Sequence, residues 1–423
     1  NADPSDRVPR VRITAVCTPS SDHAIRRPRH LGGVILLTVA LVAASCTGSD
    51  GSEADAGTTS TSSSAATSPA TEPTSTTTSP TTSTSVAREC DPAAPETCTL
   101  RQLADRAGIL LGAAVAEGPL AADPQYARVL AQEFNSVTPE NAFKWPATQP
   151  ESGRFTWEAA DAIVAFAADL DLRVRGHTLV WANSQSAELY EILPGYVGGS
   201  TDAATMQQAI DDHIAAVVGR FGEVTDRWDV VNEPLSLAAG ELDANALTET
   251  LGEAWMVRAF EQARTLAPDA KLYLNEVLTE RPGPKHDALL ALVGRLTDAG
   301  APIDGIGLQG HFLTGTPPRD ELETVMRDWE ALDLDVAITE LDIRAVDGDL
   351  QAQAAQYADV VGACLAVDAC VEVTLWGFTD RHTWLDDLLG AGSDPLLFDE
   401  EYQPKPAYRA VAATLAESIT GQP

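Results

Sequence analysis

The feature that most restricts the fold of this chain is an alternation of short strand-like runs with longer helix-like stretches. The helical stretches have apolar residues near helical spacing, as in 159–170, 205–221 and 253–266. The strand-like runs are rich in β-favouring residues and finish in polar or charged ones; they are 109–115, 134–141, 173–180, 228–233, 271–276, 305–311, 335–341 and 371–378. Such alternation predicts parallel strands joined by crossover helices. Eight repeats predict an α/β fold of the (β/α)₈ TIM barrel type, with an open doubly wound sheet as the alternative.

Polar side chains gather at the carboxyl ends of these runs, which is where a (β/α)₈ barrel places its active site. A polar residue inside a strand is costly to bury, so a set of them at one end of successive strands predicts a shared cleft. The set consists of Glu140, Asn141, His177, Asn232, Glu233, Gln309, His311, Glu340, Asp342 and Trp376.

Composition divides the chain into three parts. Residues 1–46 carry scattered arginines and then an apolar run, 31–44, which is shorter than the roughly twenty residues of a bilayer span and is typical of an export signal. Residues 47–86 are almost all Ser, Thr, Ala, Pro and Gly, a composition that predicts a disordered linker. Residues 87–423 are predicted to form the barrel domain.

The segment Ala43-Ala44-Ser45-Cys46 leaves two forms of export open. It resembles a bacterial lipobox, in which Cys46 would carry a lipid and anchor the protein to the cell surface, although Ala43 stands where such boxes usually have Leu. Cleavage by an ordinary signal peptidase would instead give a freely secreted protein. We expect no other contact with a membrane.

The cysteines of the barrel region form two pairs that are close in sequence, Cys90 with Cys98 and Cys364 with Cys370. In an exported protein this predicts two local disulfides, and the spacings fit no zinc site. The seven histidines contain no clustered ligand set, so we expect no metal and no cofactor. The net charge of −34 argues against nucleic acid as a partner and is compatible with a neutral polysaccharide.

Two glutamates stand out as candidates for acid–base chemistry. Glu233 ends the run Trp228-Asp229-Val230-Val231-Asn232-Glu233, and Glu340 ends Val336-Ala337-Ile338-Thr339-Glu340. Both follow hydrophobic strand interiors, three strands apart. Cleavage of a glycosidic bond needs two such carboxyl groups, one protonated and one ionised.

At these residues the chain resembles family 10 of the glycoside hydrolases, the retaining xylanases. The resemblance covers residues 100–416 and rests on six segments in order: Thr138-Pro139-Glu140-Asn141 with Lys144-Trp145; Arg175-Gly176-His177-Thr178-Leu179-Val180-Trp181; Trp228 to Glu233; Gly307-Leu308-Gln309-Gly310-His311; Ile338-Thr339-Glu340-Leu341-Asp342; and Trp376-Gly377 with Asp380 and Trp384.

The resemblance implies an endo-1,4-β-xylanase that hydrolyses internal bonds of xylan with retention of configuration. Glu233 would be the acid/base and Glu340 the nucleophile, with carboxyl groups roughly 5–5.5 Å apart. Asp342 would fix the tautomer of His311, which would hold Glu340. The residues expected to bind the sugar are Glu140, Asn141, Lys144, His177, Trp181, Gln185, Asn232, Gln309, His311, Trp376 and Trp384. We expect a monomer.

The chain departs from the family pattern at two places. After Trp181 the family usually has His-Ser-Gln, but this chain has Ala182-Asn183-Ser184-Gln185, which makes the register of Gln185 uncertain. After Asn275 the family commonly has Asp-Tyr-Asn, whereas this chain has Glu276-Val277-Leu278. Because an aromatic residue is missing there, we expect weakened or altered binding of the leaving-group sugars. Two other functions stay open, a glycosidase for another β-1,4-glycan and a carbohydrate-binding protein without activity.

Overall fold

The computed structural model describes residues 90–188, 191–237 and 240–421. The predicted export signal, the linker and Cys46 lie outside the described residues. The main strands are parallel and number eight in the described part; they are β1 (Leu110–Val115), β2 (Ser136–Pro139), β3 (Arg173–Trp181), β4 (Arg227–Asn232), β5 (Lys271–Glu276), β6 (Gly305–Leu308), β7 (Asp335–Ile343) and β8 (Cys370–Leu375).

These strands close into a barrel. Each pairs in parallel with its neighbour in sequence, β1 pairs with β8, and β6 pairs with β7 from Gly305 opposite Asp335 to Leu308 opposite Ile338. A two-residue strand, His311–Phe312, pairs beside the end of β7. The predicted TIM barrel is confirmed, and the open-sheet alternative is wrong because no edge strand remains between β1 and β8.

Helices pack around the barrel between successive strands. The longer ones are α1 (Leu100–Ala107), α2 (Pro124–Glu133), α3 (Glu158–Asp169), α4 (Ala203–Phe221), α5 (Ala254–Leu266), α6 (Pro284–Asp298), α7 (Arg319–Glu330), α8 (Leu350–Leu365) and α9 (Pro406–Thr420). Short helices lie in the loops at Glu117–Ala122, Trp145–Thr148, Gly195–Gly198, Ala246–Leu251 and Leu385–Leu389. The three helical stretches predicted from periodicity correspond to α3, α4 and α5, each with ends within two residues.

Strand ends differ from the prediction where the backbone cannot continue the ladder. Pro139 ends β2 two residues early because proline has no N–H to donate. The run 305–311 is divided, since Gly310 takes φ +80° between Leu308 and His311. β8 ends at Leu375, two residues before Gly377, which has φ +96°. These interruptions turn the polar residues that follow each strand toward the mouth of the barrel.

The lower part of the barrel interior holds a network of buried charges. Arg175 on β3 is fully buried; its Nη1 donates to Oε2 of Glu372 at 2.9 Å and its Nε to Oδ2 of Asp229 at 3.2 Å. Nη1 of Arg227 donates to the same Glu372 oxygen at 2.8 Å. The Arg175 guanidinium also lies 4.5 Å from the ring centre of Tyr273. We refer to Arg175, Arg227, Asp229 and Glu372 as the arginine network.

Both predicted disulfides, Cys90–Cys98 and Cys364–Cys370, are present and confirm the pairing. The first joins the turn before α1, and the second joins the end of α8 to the start of β8. Within the described residues, no helix is both long and apolar enough to cross a bilayer.

Candidate active site

Glu233 directly follows the last residue of β4 and is 5% exposed. Its Oε2 accepts hydrogen bonds from Nε1 of Trp181 at 2.9 Å and from Oγ of Ser186 at 2.8 Å. Its Oε1 accepts one from Nε2 of Gln309 at 2.9 Å. All three donors are neutral. The carboxyl group is therefore fixed in position by three neutral hydrogen-bond donors.

The backbone of Glu233 is held as firmly as its side chain. Its φ of +51° lies in the left-handed region, which side-chain-bearing residues rarely adopt and which the surrounding contacts must stabilise. The Glu233 N–H donates to the carbonyl of Asn275 at 2.9 Å, and Nδ2 of Asn183 donates to the carbonyls of Glu233 and Leu235. This conformation turns the side chain from the strand end into the mouth of the barrel.

Glu340 lies within β7, on the same end of the barrel, and is also 5% exposed. Its Oε1 accepts from Nδ2 of Asn275 at 2.7 Å, and its Oε2 lies 3.2 Å from Nε2 of His311. Burial alone would raise the pKa of Glu340, but the nearby His177 and His311 outweigh it and the pKa lies below its ordinary value. Glu340 is thus held ionised, as a nucleophile requires.

His311 links Glu340 to a second carboxylate. Nδ1 of His311 lies 3.0 Å from Oδ2 of Asp342, which also accepts from Nε1 of Trp384 at 2.7 Å. Burial would lower the pKa of His311, but Asp342 and Glu340 together raise it to about 10. The imidazole is therefore charged near neutral pH. In this charged form the ring carries hydrogen on both nitrogens, and the tautomer role expected of Asp342 stays a prediction.

Asn275 is a site residue that strand-end reasoning did not select. Its Nδ2 donates both to Oδ1 of Asn232 at 2.8 Å and to Oε1 of Glu340 at 2.7 Å, and its Oδ1 accepts from the hydroxyl of Thr339. Gly307 makes room for it, since a Cβ there would lie 2.1 Å from Oδ1 of Asn275. The signal was available in the sequence: an asparagine one residue before the end of β5, at the same level as Asn232.

On the opposite wall, Lys144, Asn141 and Glu140 form a chain of contacts. Nζ of Lys144 donates to Oδ1 of Asn141 at 2.7 Å, and Nδ2 of Asn141 donates to Oε1 of Glu140 at 3.2 Å. The Lys144 ammonium lies 5.2 Å from the ring centre of Trp181 and 5.8 Å from that of Trp376. Burial raises the pKa of Glu140, although Lys144 opposes the shift. The three polar residues thus stand beside two indole rings.

The tryptophans are nearly buried, with exposures of 3% for Trp376, 6% for Trp384 and 8% for Trp181. They belong to a small apolar cluster at the mouth of the barrel, separate from the main core; its other members are Ala114, Ile192, Leu237, Val277, Leu313 and Leu385. His177 lies against the Trp376 ring, edge to face at 5.1 Å between ring centres. Its Nδ1 is 3.0 Å from Oδ2 of Asp229 and 4.0 Å from Oε1 of Glu340.

The segment after β3, where the family pattern breaks, contacts the acid/base candidate through a residue not selected from the sequence. Oγ of Ser186 reaches Glu233, whereas Oε1 of Gln185 accepts from the N–H of Leu237 at 2.7 Å. Gln185 therefore holds the loop that follows Glu233. Every other sugar-binding candidate lies on the contact network that joins Glu233, Glu340 and the tryptophans.

The segment after Asn275, where the chain also departs from the family pattern, contains a buried ion pair. Glu276 has no exposed surface, and its Oε1 lies 3.0 Å from Nζ of Lys285. Burial raises the pKa of Glu276 to about 7, which Lys285 opposes and Glu233 reinforces. Val277 is buried in the apolar cluster, and Leu278, with φ +60°, lines a cleft of about 330 Å³ beside His311, together with Glu280, Arg281 and Leu313.

Comparison with known proteins agrees with this geometry. Residues 99–414 match the model of Glycosyl hydrolase family 10. Endo-1,4-beta-xylanase 1 of Humicola insolens is 37% identical over 334 residues, which cover 77% of this chain and 76% of that protein. Endo-1,4-beta-xylanase B of the same organism is 38% identical over 310 residues, which cover 70% of this chain and 82% of that protein.

Solved structures give the same result. Native xylanase 10B from Thermotoga maritima superimposes with a TM-score of 0.71 at 33% identity, covering 76% of this chain and 99% of that one. Xylanase 10B from Thermotoga petrophila RKU-1, solved in complex with xylobiose, gives 0.71 at 32% identity, covering 76% and 98%. Barrel, paired glutamates and sequence together establish that this chain belongs to glycosyl hydrolase family 10.

Proposed function

We propose that this chain is an endo-1,4-β-xylanase that works by double displacement, with Glu233 as acid/base and Glu340 as nucleophile. The observation that carries the proposal is the different treatment of the two carboxyl groups. Glu233 is held by three neutral donors, whereas Glu340 lies against the charged His311 and has a lowered pKa. Glu340 is thus suited to attack as an anion, and Glu233 is fixed in place by neutral groups.

In the first step Oε of Glu340 attacks the anomeric carbon while the glycosidic C–O bond breaks. Glu233 gives its proton to the departing oxygen, so the leaving chain is a neutral alcohol. In the second step Glu233, now ionised, takes a proton from water. The resulting oxygen attacks the same carbon, the ester to Glu340 breaks, and both glutamates return to their starting states.

The neighbouring residues would support these steps. His311 stabilises the Glu340 carboxylate when it leaves in the second step. Asn232, whose Oδ1 is fixed by Asn275, would bind the sugar 2-hydroxyl, a contact that strengthens in the transition state. Glu140, Asn141 and Lys144 would bind other hydroxyls. Trp376 and Trp384 would pack against pyranose rings.

Reducing-sugar release from xylan, cellulose and mannan tests the substrate, and NMR of the first-formed product tests the stereochemistry. We expect release from xylan and a product of β configuration. Preferred hydrolysis of another polymer would favour the alternative of a glycosidase for a different β-1,4-glycan. Tight xylan binding without hydrolysis would favour a binding protein.

The leaving-group side of the cleft is proposed to bind sugars weakly or differently. Val277 and Leu278 stand where the family commonly has an aromatic residue and a polar one, and Val277 is buried within the apolar cluster. Turnover of long xylan compared with a short aryl xyloside measures this. An undiminished preference for the long chain would contradict it.

We also propose that the enzyme is exported and acts as a monomer outside the cell, on a neutral polymer and with no nucleic acid partner. Whether Cys46 anchors it can be measured by mass spectrometry of the mature amino terminus. A diacylglyceryl mass at Cys46, lost in Cys46→Ser, would establish the anchor. A free terminus in the culture medium would establish secretion. Light scattering tests the oligomeric state.

A further inference from the structure

The buried pair of Glu276 and Lys285 connects to the proton donor by its hydrogen bonds. Oε2 of Glu276 accepts from the N–H of Leu235 at 3.0 Å, two residues after Glu233. Oε1 accepts from the N–H of Val277 at 2.9 Å and from Nζ of Lys285 at 3.0 Å. Glu276 is fully buried, so these three donors replace the water that would otherwise bind its carboxylate.

The same residue reaches Glu233 from a second direction. The main-chain carbonyl of Glu276 accepts from the N–H of Gln309 at 3.1 Å, and Nε2 of Gln309 donates to Oε1 of Glu233. The side chain of Glu276 therefore contacts the main chain at Leu235, just after the proton donor Glu233. The main chain of Glu276 holds Gln309, which is one of the three hydrogen-bond donors to Glu233.

From this geometry we infer that Glu276, ion-paired with Lys285, is a positioning residue for the acid/base Glu233. The inference rests on the proposed function. Glu276 would then support proton donation by Glu233 and would have no part in nucleophilic attack by Glu340.

The chemistry of a buried carboxylate explains why the pair is needed. A hydrogen bond from the Leu235 N–H to an ionised carboxylate is shorter and stronger than one to a neutral oxygen. Burial favours the protonated form, and Lys285 at the start of α6 opposes this. Lys285 and Glu233 are charged side chains that act on the Glu276 carboxylate, and the N–H groups of Leu235 and Val277 donate to it. Without the cation, the protonated form of Glu276 would be favoured, and its hydrogen bond from the Leu235 N–H would be weaker.

Leaving-group chemistry separates a defect in proton donation from general damage. A 2,4-dinitrophenolate departs without a proton, whereas the sugar alkoxide of xylan requires one. We therefore compare kcat/KM, which reports the first step, for xylan and for 2,4-dinitrophenyl β-xylobioside. In Glu276→Gln we expect kcat/KM to fall roughly 10-fold or more on xylan and less than about 3-fold on the aryl glycoside.

Lys285→Met is the second variant, because Glu276→Gln introduces an amide NH₂ among three donors and could impair folding. It retains Glu276 and should give the same selective loss, with a smaller factor. Glu280→Gln is the matched control: Glu280 is buried on the same loop but accepts from the N–H of Gly310, on the side of Glu340. Any loss in the control should be equal for the two substrates.

Equal losses on both substrates in Glu276→Gln and Lys285→Met, or unchanged kinetics in both, would overturn the inference while leaving the proposed function intact. A wild-type enzyme that hydrolyses neither substrate would overturn the proposed function, and the inference with it.

Discussion

Two sets of buried carboxylates lie at different depths of the same barrel. In the arginine network, Asp229 and Glu372 are bound by arginines, and every charge has a charged partner. At the mouth, Glu233 is bound by an indole, a hydroxyl and an amide, and Glu340 by an amide and the imidazole of His311. Full ionic pairing with arginine gives a carboxylate a structural role. The carboxylates at the mouth, held by neutral groups or by an imidazole, are the two that we propose to react.

The largest effect should come from removing the reactive carboxylate at the mouth. In Glu340→Gln the attacking oxygen is lost, and activity on xylan should fall by roughly 10⁴-fold or more, as for other nucleophile removals. Initial rates measure the loss, and thermal melting checks that the fold remains. Retention of more than a small percentage of activity would mean that another group attacks the sugar.

Stability should respond most strongly in the arginine network. Arg175→Met leaves the buried Asp229 without its cation and Glu372 with one fewer, and breaking a buried pair in this way typically costs about 3–5 kcal/mol of the free energy of unfolding. Denaturant unfolding measures it. Arg173→Met is the matched control, because Arg173 pairs with Asp226 at the surface and should change stability by about 0–1 kcal/mol. Equal effects would contradict the structural role of the network.

The two regions should also differ in their pH dependence. Burial acts against ionisation of Asp229 and Glu372, but the arginines outweigh it and lower both pKa values. Their stabilisation is therefore present above the unfolded pKa of about 4 and lost as the pH falls through the lower folded pKa. The effect of pH on the stabilisation by Glu276 has the opposite direction, because the pKa of Glu276 is raised to about 7. Its contribution is present below about pH 4.3 and lost as the pH rises through 7.

Melting temperature measured from pH 3 to pH 9 checks this difference. We expect a fall on the acid side from the arginine network. We also expect a decline between about pH 4.3 and pH 7, levelling off above pH 7, that is reduced in Glu276→Gln by several degrees or roughly 1–2 kcal/mol. If the decline between about pH 4.3 and pH 7 is the same in wild type and variant, Glu276 does not titrate in that range.

The smallest effect is expected at Ser186. Ser186→Ala removes one of three donors to Glu233, a loss of about 1 kcal/mol or roughly fivefold in kcat/KM on xylan. Ser184→Ala is a matched control on the same loop, because Ser184 contacts Asp243 instead. If the two variants behave alike, the hydroxyl of Ser186 has no part in holding the proton donor.

Much of this arrangement could be predicted from residues near each other in sequence. The barrel was predicted from the alternation of strand-like and helix-like stretches. The disulfides were predicted from cysteines six and eight residues apart, and the two glutamates from their position at strand ends. Asn275, Ser186 and the pair of Glu276 with Lys285 were not found this way. Their importance depends on contacts with residues on other strands, such as Asn275 with Glu340, 65 residues away.

The sequence by itself determined which residue types stand at the carboxyl end of each strand, because strand and helix periods are local properties of the chain. Only the tertiary structure decided which of those side chains touch, because closing the barrel sets the register between strands. That register places His311 against Glu340 and neutral donors around Glu233. The same composition in another register would leave two ordinary buried acids.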